Sequence, residues 1–202
     1  MTTILLDPRR TLVFAGDSVT DCGRRTDPDG LGGGYVRTLY DDLGPRRPRI
    51  VNAGISGNRA ADLAARWSAD VLAHEPSVVS ILIGINDTWR RYDEDDPTTA
   101  ESFEESYRAM LDPLTCPVVV IEPFLLPVKD GQEAWREDLD PKLDVVRKLA
   151  VEYGAILVPA DVELNRQAAA VGAATLAGDG VHPSPAGHRA IADLWRRVVL
   201  EH

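Results

Sequence analysis

The run Thr11-Leu12-Val13-Phe14-Ala15-Gly16-Asp17-Ser18-Val19-Thr20-Asp21 decides the fold. Its first five residues are apolar or β-branched on successive positions, which suits a parallel strand buried on both faces. The chain then turns at Gly-Asp-Ser, residue types that favour turns and helix caps. Four more runs share the character of the first: Ile50–Ala53, Val78–Ile83, Val118–Glu122 and Ala155–Val158. Between them, apolar residues recur at threes and fours over Gly34–Leu43, Asn58–Ala73, Glu101–Leu111 and Trp135–Tyr153. That is the period of an amphipathic helix. Asn58 is placed to cap its helix. Ser184-Pro185 opens a last helix with an N-cap and a proline at the first helical position. Ala168–Ala177 reads as a small-residue helix end running into a loop.

Strands alternating with helices predict right-handed crossovers and an α/β architecture. The expectation is a three-layer α/β/α, flavodoxin-like fold with a parallel five-stranded sheet. No repeat or linker divides the chain, so residues 1–202 read as one domain. A domain of this length buries roughly 70% of its unfolded surface and needs no disulfide or structural metal. The formal charge of −10 disfavours nucleic acid and anionic membrane as partners. A small neutral or cationic molecule is the simplest partner. Cys22 and Cys116 could in principle bridge, but Cys116 reads as a small core residue, and Cys22 as a thiol nucleophile has no His or Asn beside it in sequence. No secretory leader and no apolar run near the ~20 residues of a membrane span is present, which makes the cytoplasm the default address. Trp67 and Trp135 mark either core or the interface of a homo-oligomer.

In an open α/β sheet, ligands bind outside the carboxyl ends of the strands. Ser18 follows the first strand, Gly54 the second and Asn86 the third, while Asp179 and His182 precede the last helix. All five are expected at one edge of the sheet. A serine hydroxyl is a poor nucleophile until a base takes its proton, and a neutral imidazole needs an orienting acceptor to be that base. Asp179-Gly180-Val181-His182 supplies both groups. Of the other histidines, His74 ends a helix, His188 sits in the last helix and His202 ends the chain. Asp179, His182 and His188 could also begin a metal site, but no further ligand stands at diagnostic spacing, so no metal and no cofactor is expected. A phosphate-binding protein of this fold would need a Gly-rich loop with Lys, which is missing. The glycines of Val51-Asn52-Ala53-Gly54-Ile55-Ser56-Gly57-Asn58 serve either a tight turn or a close approach of backbone N–H to an oxyanion. The Asn86 amide caps a helical turn or donates to the same oxyanion.

Together these blocks resemble the SGNH (GDSL-type) hydrolases over nearly the whole chain. Gly16-Asp17-Ser18 resembles the nucleophile block of that superfamily, with Val19 where leucine is common. Gly54 falls in its glycine block, Asn86 in its Gly-x-Asn-Asp block, and Asp179-x-x-His182 in the acid–base block. The resemblance implies Ser18 as nucleophile, His182 as general base and Asp179 as its orienting carboxylate. It also implies an oxyanion hole from the N–H groups of Ser18 and Gly54 with the Asn86 side chain. Longer strings, Asp17–Arg24 and Ile83–Asp93 among them, are similar to intracellular carbohydrate acetylesterases acting on acetylated xylo-oligosaccharides.

That similarity implies a small acyl ester as partner, an acetylated saccharide, with Asp17, Trp89 and Tyr92 as candidate substrate-binding residues. Trp89 and Tyr92 could pack on a sugar ring, with Arg90, Arg91 or Asp93 on its hydroxyls; alternatively, Trp89 seals a loop beside a solvated acidic run. Pro123–Ala134, with Phe124, Leu125 and Leu126, either lines an acyl tunnel or closes the sheet edge. A lipase, lysophospholipase or thioesterase of the same fold, and a non-catalytic carbohydrate-binding protein, are the competing readings.

Overall fold

A computed structural model of the chain describes residue 4 and residues 6–200; His202 lies outside the described residues, as do most of the first five. The parallel sheet has five strands: β1 (Thr11–Gly16), β2 (Arg49–Gly54), β3 (Val78–Leu82), β4 (Val118–Ile121) and β5 (Ile156–Val158). Their order is β2-β1-β3-β4-β5, so the direction of winding reverses between β1 and β3. The helices are α1 (Ser18–Asp21), α2 (Tyr35–Leu43), α3 (Ala60–Ala65), α4 (Trp67–Asp70), α5 (Ile85–Asp93) and α6 (Ala100–Leu111). They continue with α7 (Arg136–Glu152), α8 (Ala160–Val171), α9 (Ala173–Leu176) and α10 (Pro185–Leu200). This is the three-layer α/β/α arrangement expected from the sequence.

Successive strand residues point to opposite faces, and each face has its own core. On one side Leu12, Phe14, Val78, Leu82, Val119 and Ile121 meet Tyr35, Leu39, Leu164, Ile191 and Trp195 from α2, α8 and α10. On the other Val13, Ala15, Val79, Ile81 and Val120 meet Leu63, Trp67, Phe103, Tyr107, Val146 and Leu149. Trp195 of α10 lies against Phe14 of β1, ring centroids 5.7 Å apart, and donates its indole N–H to Ser80 Oγ at 3.1 Å. Burying each such aromatic contributes roughly 1.5–3 kcal/mol. Trp67 is core, while Trp135 is half-buried. Cys116 is only partly buried against the second core, not enclosed as expected.

Three sequence expectations change. The helix expected over Asn58–Ala73 starts at Ala60 and breaks at Arg66, whose backbone (φ −105°, ψ 6°) leaves the helical region. The Arg66 guanidinium donates to Asn58 Oδ1, to the Ala53 and Gly16 carbonyls and to Asp70, tying the break to the ends of β1 and β2. Asn58 is thus spent on Arg66 rather than on capping. Residues 85–93, where the sequence suggests no more than a helical turn at Asn86, form α5; its buried first turn is Ile85 followed by Asn86, Asp87 and Thr88, so no apolar period announces it. α8 runs from Ala160, well before the Ala-rich stretch, with Leu164 as its one large buried apolar side chain. No helix of the described residues is long and apolar enough to cross a membrane.

Candidate active site

Gly16 and Gly54 end β1 and β2 in register, and Leu82 of β3 pairs with Gly16. The segments that leave these three strand ends meet where the winding reverses, the position at which open α/β sheets bind ligands. Asp17 caps α1, its Oδ1 accepting the Val19 N–H at 3.0 Å. Ser18 is therefore the first helical residue, and its N–H has no intrahelical acceptor. Asn86 stands in the first turn of α5 and donates from Nδ2 to the Asn58 carbonyl at 3.0 Å, which leaves its second N–H uncommitted.

His182 arrives from the loop before α10. Its Nε2 lies 2.9 Å from Ser18 Oγ, and its Nδ1 lies 2.7 Å from Asp179 Oδ2. Asp179 Oδ1 accepts the backbone N–H groups of Val181 and His182 at 3.0 and 2.7 Å. Burial pushes the Asp179 carboxyl up, but the hydrogen bonds from the His182 ring and from these backbone groups hold it below the ordinary carboxylate value. An ionised Asp179 keeps the proton on Nδ1, so Nε2 is left to accept from the Ser18 hydroxyl. The buried Gln132 braces this loop: its Nε2 donates to the Asp179 carbonyl at 2.9 Å, and its Oε1 accepts the Val128 N–H at 2.9 Å. No sequence signal singles out Gln132, because its role depends on a loop 47 residues away.

Ser18 and His182 open onto a cavity of about 250 Å³ that is also lined by Ser56, Gly57, Asn86, Trp89 and Arg90. Trp89 packs beside the His182 ring, centroids 5.6 Å apart. Arg90 is held by Asp93 and Glu94 at 2.7 and 3.1 Å. Arg91 turns away to Glu137 and Asp138.

Three residues proposed from the sequence sit elsewhere. Gly54 is buried, and its N–H is already given to Asn52 Oδ1 at 2.9 Å. Its missing side chain makes room for α1 instead, since a Cβ there would lie 2.3 Å from the Asp21 nitrogen. The glycine that faces the cavity is Gly57, at φ +84°, and its N–H makes no hydrogen bond among the described residues. Asp17 is 1% exposed and serves as a cap, not as a substrate contact. Tyr92 stacks on Trp135 at 5.1 Å and 10°, and its hydroxyl donates to the Ala134 carbonyl at 3.0 Å, so it braces Trp135 instead of lining the cavity. Phe124, Leu125 and Leu126 are all buried, Phe124 and Leu126 in the core that faces α2, α8 and α10 and Leu125 beside Leu139, Leu143 and Val181.

Two buried carboxyls lie behind the cavity. Burial pushes Asp17 up to about 7 against the Val19 N–H and the nearby His182. It raises Asp87 to about 7 as well, against the Ala60 N–H and Lys142. His188, weighed as a metal ligand, has both ring nitrogens engaged: Nδ1 accepts the Tyr35 N–H at 3.2 Å, and Nε2 faces Cys22 Sγ at 3.4 Å. Among the described residues no cluster of three or more His, Cys, Asp or Glu is arranged to hold a metal.

Burial, and secondarily the charge of His182, depresses His188 to about 4. An unfolded histidine takes up its proton near ~6.5. The stability that neutral His188 confers is therefore full above that pH and is lost as the pH falls toward 4, by up to about 3 kcal/mol. Asp17 and Asp87 act with the opposite sign, favouring the folded state in acid. The difference in melting temperature between wild type and His188→Gln isolates the histidine, and it is expected to shrink steadily from pH 7 to pH 4. A constant difference would refute it.

Residues 14–190 match the GDSL-like lipase/acylhydrolase family model. An acetylxylan esterase of Geobacillus stearothermophilus is 37% identical, over 93% of this chain and 93% of its own. The crystal structure of Axe2, an acetylxylan esterase from the same organism, superimposes with a TM-score of 0.87 at 35% identity, covering 96% of this chain and 95% of that one. Catalytic mutants of Axe2 at a serine, an aspartate and a histidine have also been solved, the last two residues being three positions apart.

Proposed function

The chain belongs to the GDSL-like lipase/acylhydrolase family, and from that premise we propose that Ser18, His182 and Asp179 deacetylate O-acetylated sugars through an acyl-enzyme. The observation that carries this reading is the hydrogen-bonded line Ser18–His182–Asp179 opening onto a small cavity. The residue types and the Asp–His spacing are those of the catalytic mutants of Axe2.

His182 Nε2 takes the Ser18 proton as Oγ bonds to the acetyl carbon, and the carbonyl oxygen becomes an alkoxide. The N–H groups of Ser18 and Gly57 and the free Asn86 Nδ2–H receive that charge. The C–O bond to the sugar then breaks, and His182 delivers the proton to the departing sugar oxygen. Water enters, gives a proton to Nε2 and attacks the acetyl-enzyme; acetic acid leaves as that proton returns to Ser18, and it then ionises to acetate in solution. Throughout, Asp179 stabilises the imidazolium without taking its proton.

Small size favours a short acyl group. The cavity, about 250 Å³, falls below the ~300–1,000 Å³ usual for drug-sized ligands. Trp89, beside the base that protonates the leaving group, offers a face to the sugar. A series of 4-nitrophenyl esters from C2 to C8 tests this reading, together with acetate release from acetylated xylo-oligosaccharides. We expect kcat/KM to fall at least about tenfold from acetate to butyrate, since the scaffold leaves little room for added methylenes. A rise toward C8, or no acetate from the saccharide, would replace this substrate with a lipid or thioester.

A further inference from the structure

Asp87 completes the Gly-x-Asn-Asp block, yet the reaction just described does not use it. It is fully buried, and its Oδ2 accepts the N–H of Ala60, the first residue of α3, at 3.0 Å. Its Oδ1 is buried without a hydrogen-bond partner. Lys142 and Arg59 lie near enough to favour its ionised form, while Asp17 opposes it. Such a group is costly to enclose, and an apolar side chain would fill the space more cheaply. What an apolar side chain cannot do is accept the Ala60 N–H.

That bond belongs to a clamp. Asn86 and Asp87, consecutive in the first turn of α5, grip the backbone at Asn58 and Ala60. At the other end of the same segment, the Ser56 N–H and Oγ–H donate to Asp21 Oδ2 at 3.1 and 2.7 Å. The Ile55 N–H donates to the Gly16 carbonyl at 3.0 Å. Gly57 lies between the two anchors, with no side chain to pack and no hydrogen bond of its own among the described residues. Its place relative to Ser18 is therefore set by these anchors, together with the Asn58 N–H donating to the Ile55 carbonyl at 3.2 Å across the turn and Arg66 donating to Asn58 Oδ1.

We infer that Asp87 is a positioning residue of the oxyanion hole: by accepting the Ala60 N–H it fixes the start of α3, and through it the Gly57 N–H, against Ser18 and Asn86. The inference rests on the esterase reading above. Oxyanion donors act only within about 2.7–3.1 Å of the developing charge, and a displacement of about 1 Å costs on the order of 10²-fold in rate.

The test compares kcat and KM on 4-nitrophenyl acetate, with melting curves, for wild type, Asp87→Asn, Asp87→Ala and Ala60→Pro. Asparagine keeps an oxygen for the Ala60 N–H and is expected to hold kcat within about threefold. Alanine removes the acceptor. Ala60→Pro removes the donor at the helix position where proline is best accepted, after Arg59, which already has the extended backbone a residue before proline adopts (φ −89°, ψ 174°). Both are expected to lower kcat by roughly 10–100-fold with KM nearly unchanged, because the loss falls on the transition state. The inference is overturned if folded Asp87→Ala keeps kcat within threefold, or if Ala60→Pro does so where Asp87→Ala fails to fold. Equal losses in Asp87→Asn and Asp87→Ala would overturn it too, since charge and not the held N–H would then matter. An inert wild type would overturn the esterase reading and this inference together.

Discussion

Ser18→Ala is expected to lower kcat on 4-nitrophenyl acetate by about 10⁴-fold or more, with the melting temperature nearly unmoved. The rate falls because the oxygen that forms the acyl-enzyme is gone, and the residual catalysis of an oxyanion hole alone is only ~10³–10⁴ over water. The fold persists because, among the described residues, the hydroxyl bonds to His182 alone, and Ser18 is only partly buried. Trapping the wild type with a fluorophosphonate and sequencing the labelled peptide identifies the same oxygen independently. Activity retained in the alanine variant, or a label on another residue, would remove Ser18 from the reaction.

Asp179→Asn is expected to be nearly as damaging, about 10³–10⁴-fold in kcat, and for a different reason. The asparagine oxygen can still accept the Val181 and His182 backbone N–H groups that shape the loop. Its amide then faces Nδ1 as a donor. An imidazole that accepts at Nδ1 carries its proton on Nε2, where the Ser18 proton should go. The substitution preserves geometry and reverses the direction of the hydrogen bond. Steady-state rates with a melting curve separate this from unfolding; a loss below about tenfold would show that Asp179 is not the orienting acceptor.

The strands were legible because each is a short, doubly buried run, and their ends located most of the cavity. Ser18, Asn86, Trp89 and His182 line it, with Asp179 behind the histidine. What the sequence hid follows a physical pattern. Gly54 and Gly57 look alike as strand-end glycines; the Asn52 side chain, two residues back, claims the first N–H, a local contact that the Asn-Ala-Gly string permits without requiring. Tyr92 has the same chemistry whether it meets a sugar or Trp135; the ring stack decides. α5 was invisible to hydrophobic periodicity because polar residues fill its buried turn, and those polar residues are the ones that build the site.

The pairing of α10 with β1 sets an order of events in the life of the chain. Ser18 and His182 stand 164 residues apart, and Phe14, just upstream of the serine, is packed by Tyr35 of α2 and by Trp195 of α10. Until Pro185–Leu200 has been made, the Phe14 face of β1 lacks the cover that Trp195 supplies. No N-terminal fragment can hydrolyse an ester by this route. In a refolding experiment, then, the return of esterase activity times the arrival beside Ser18 of the His182 loop, which leads into α10.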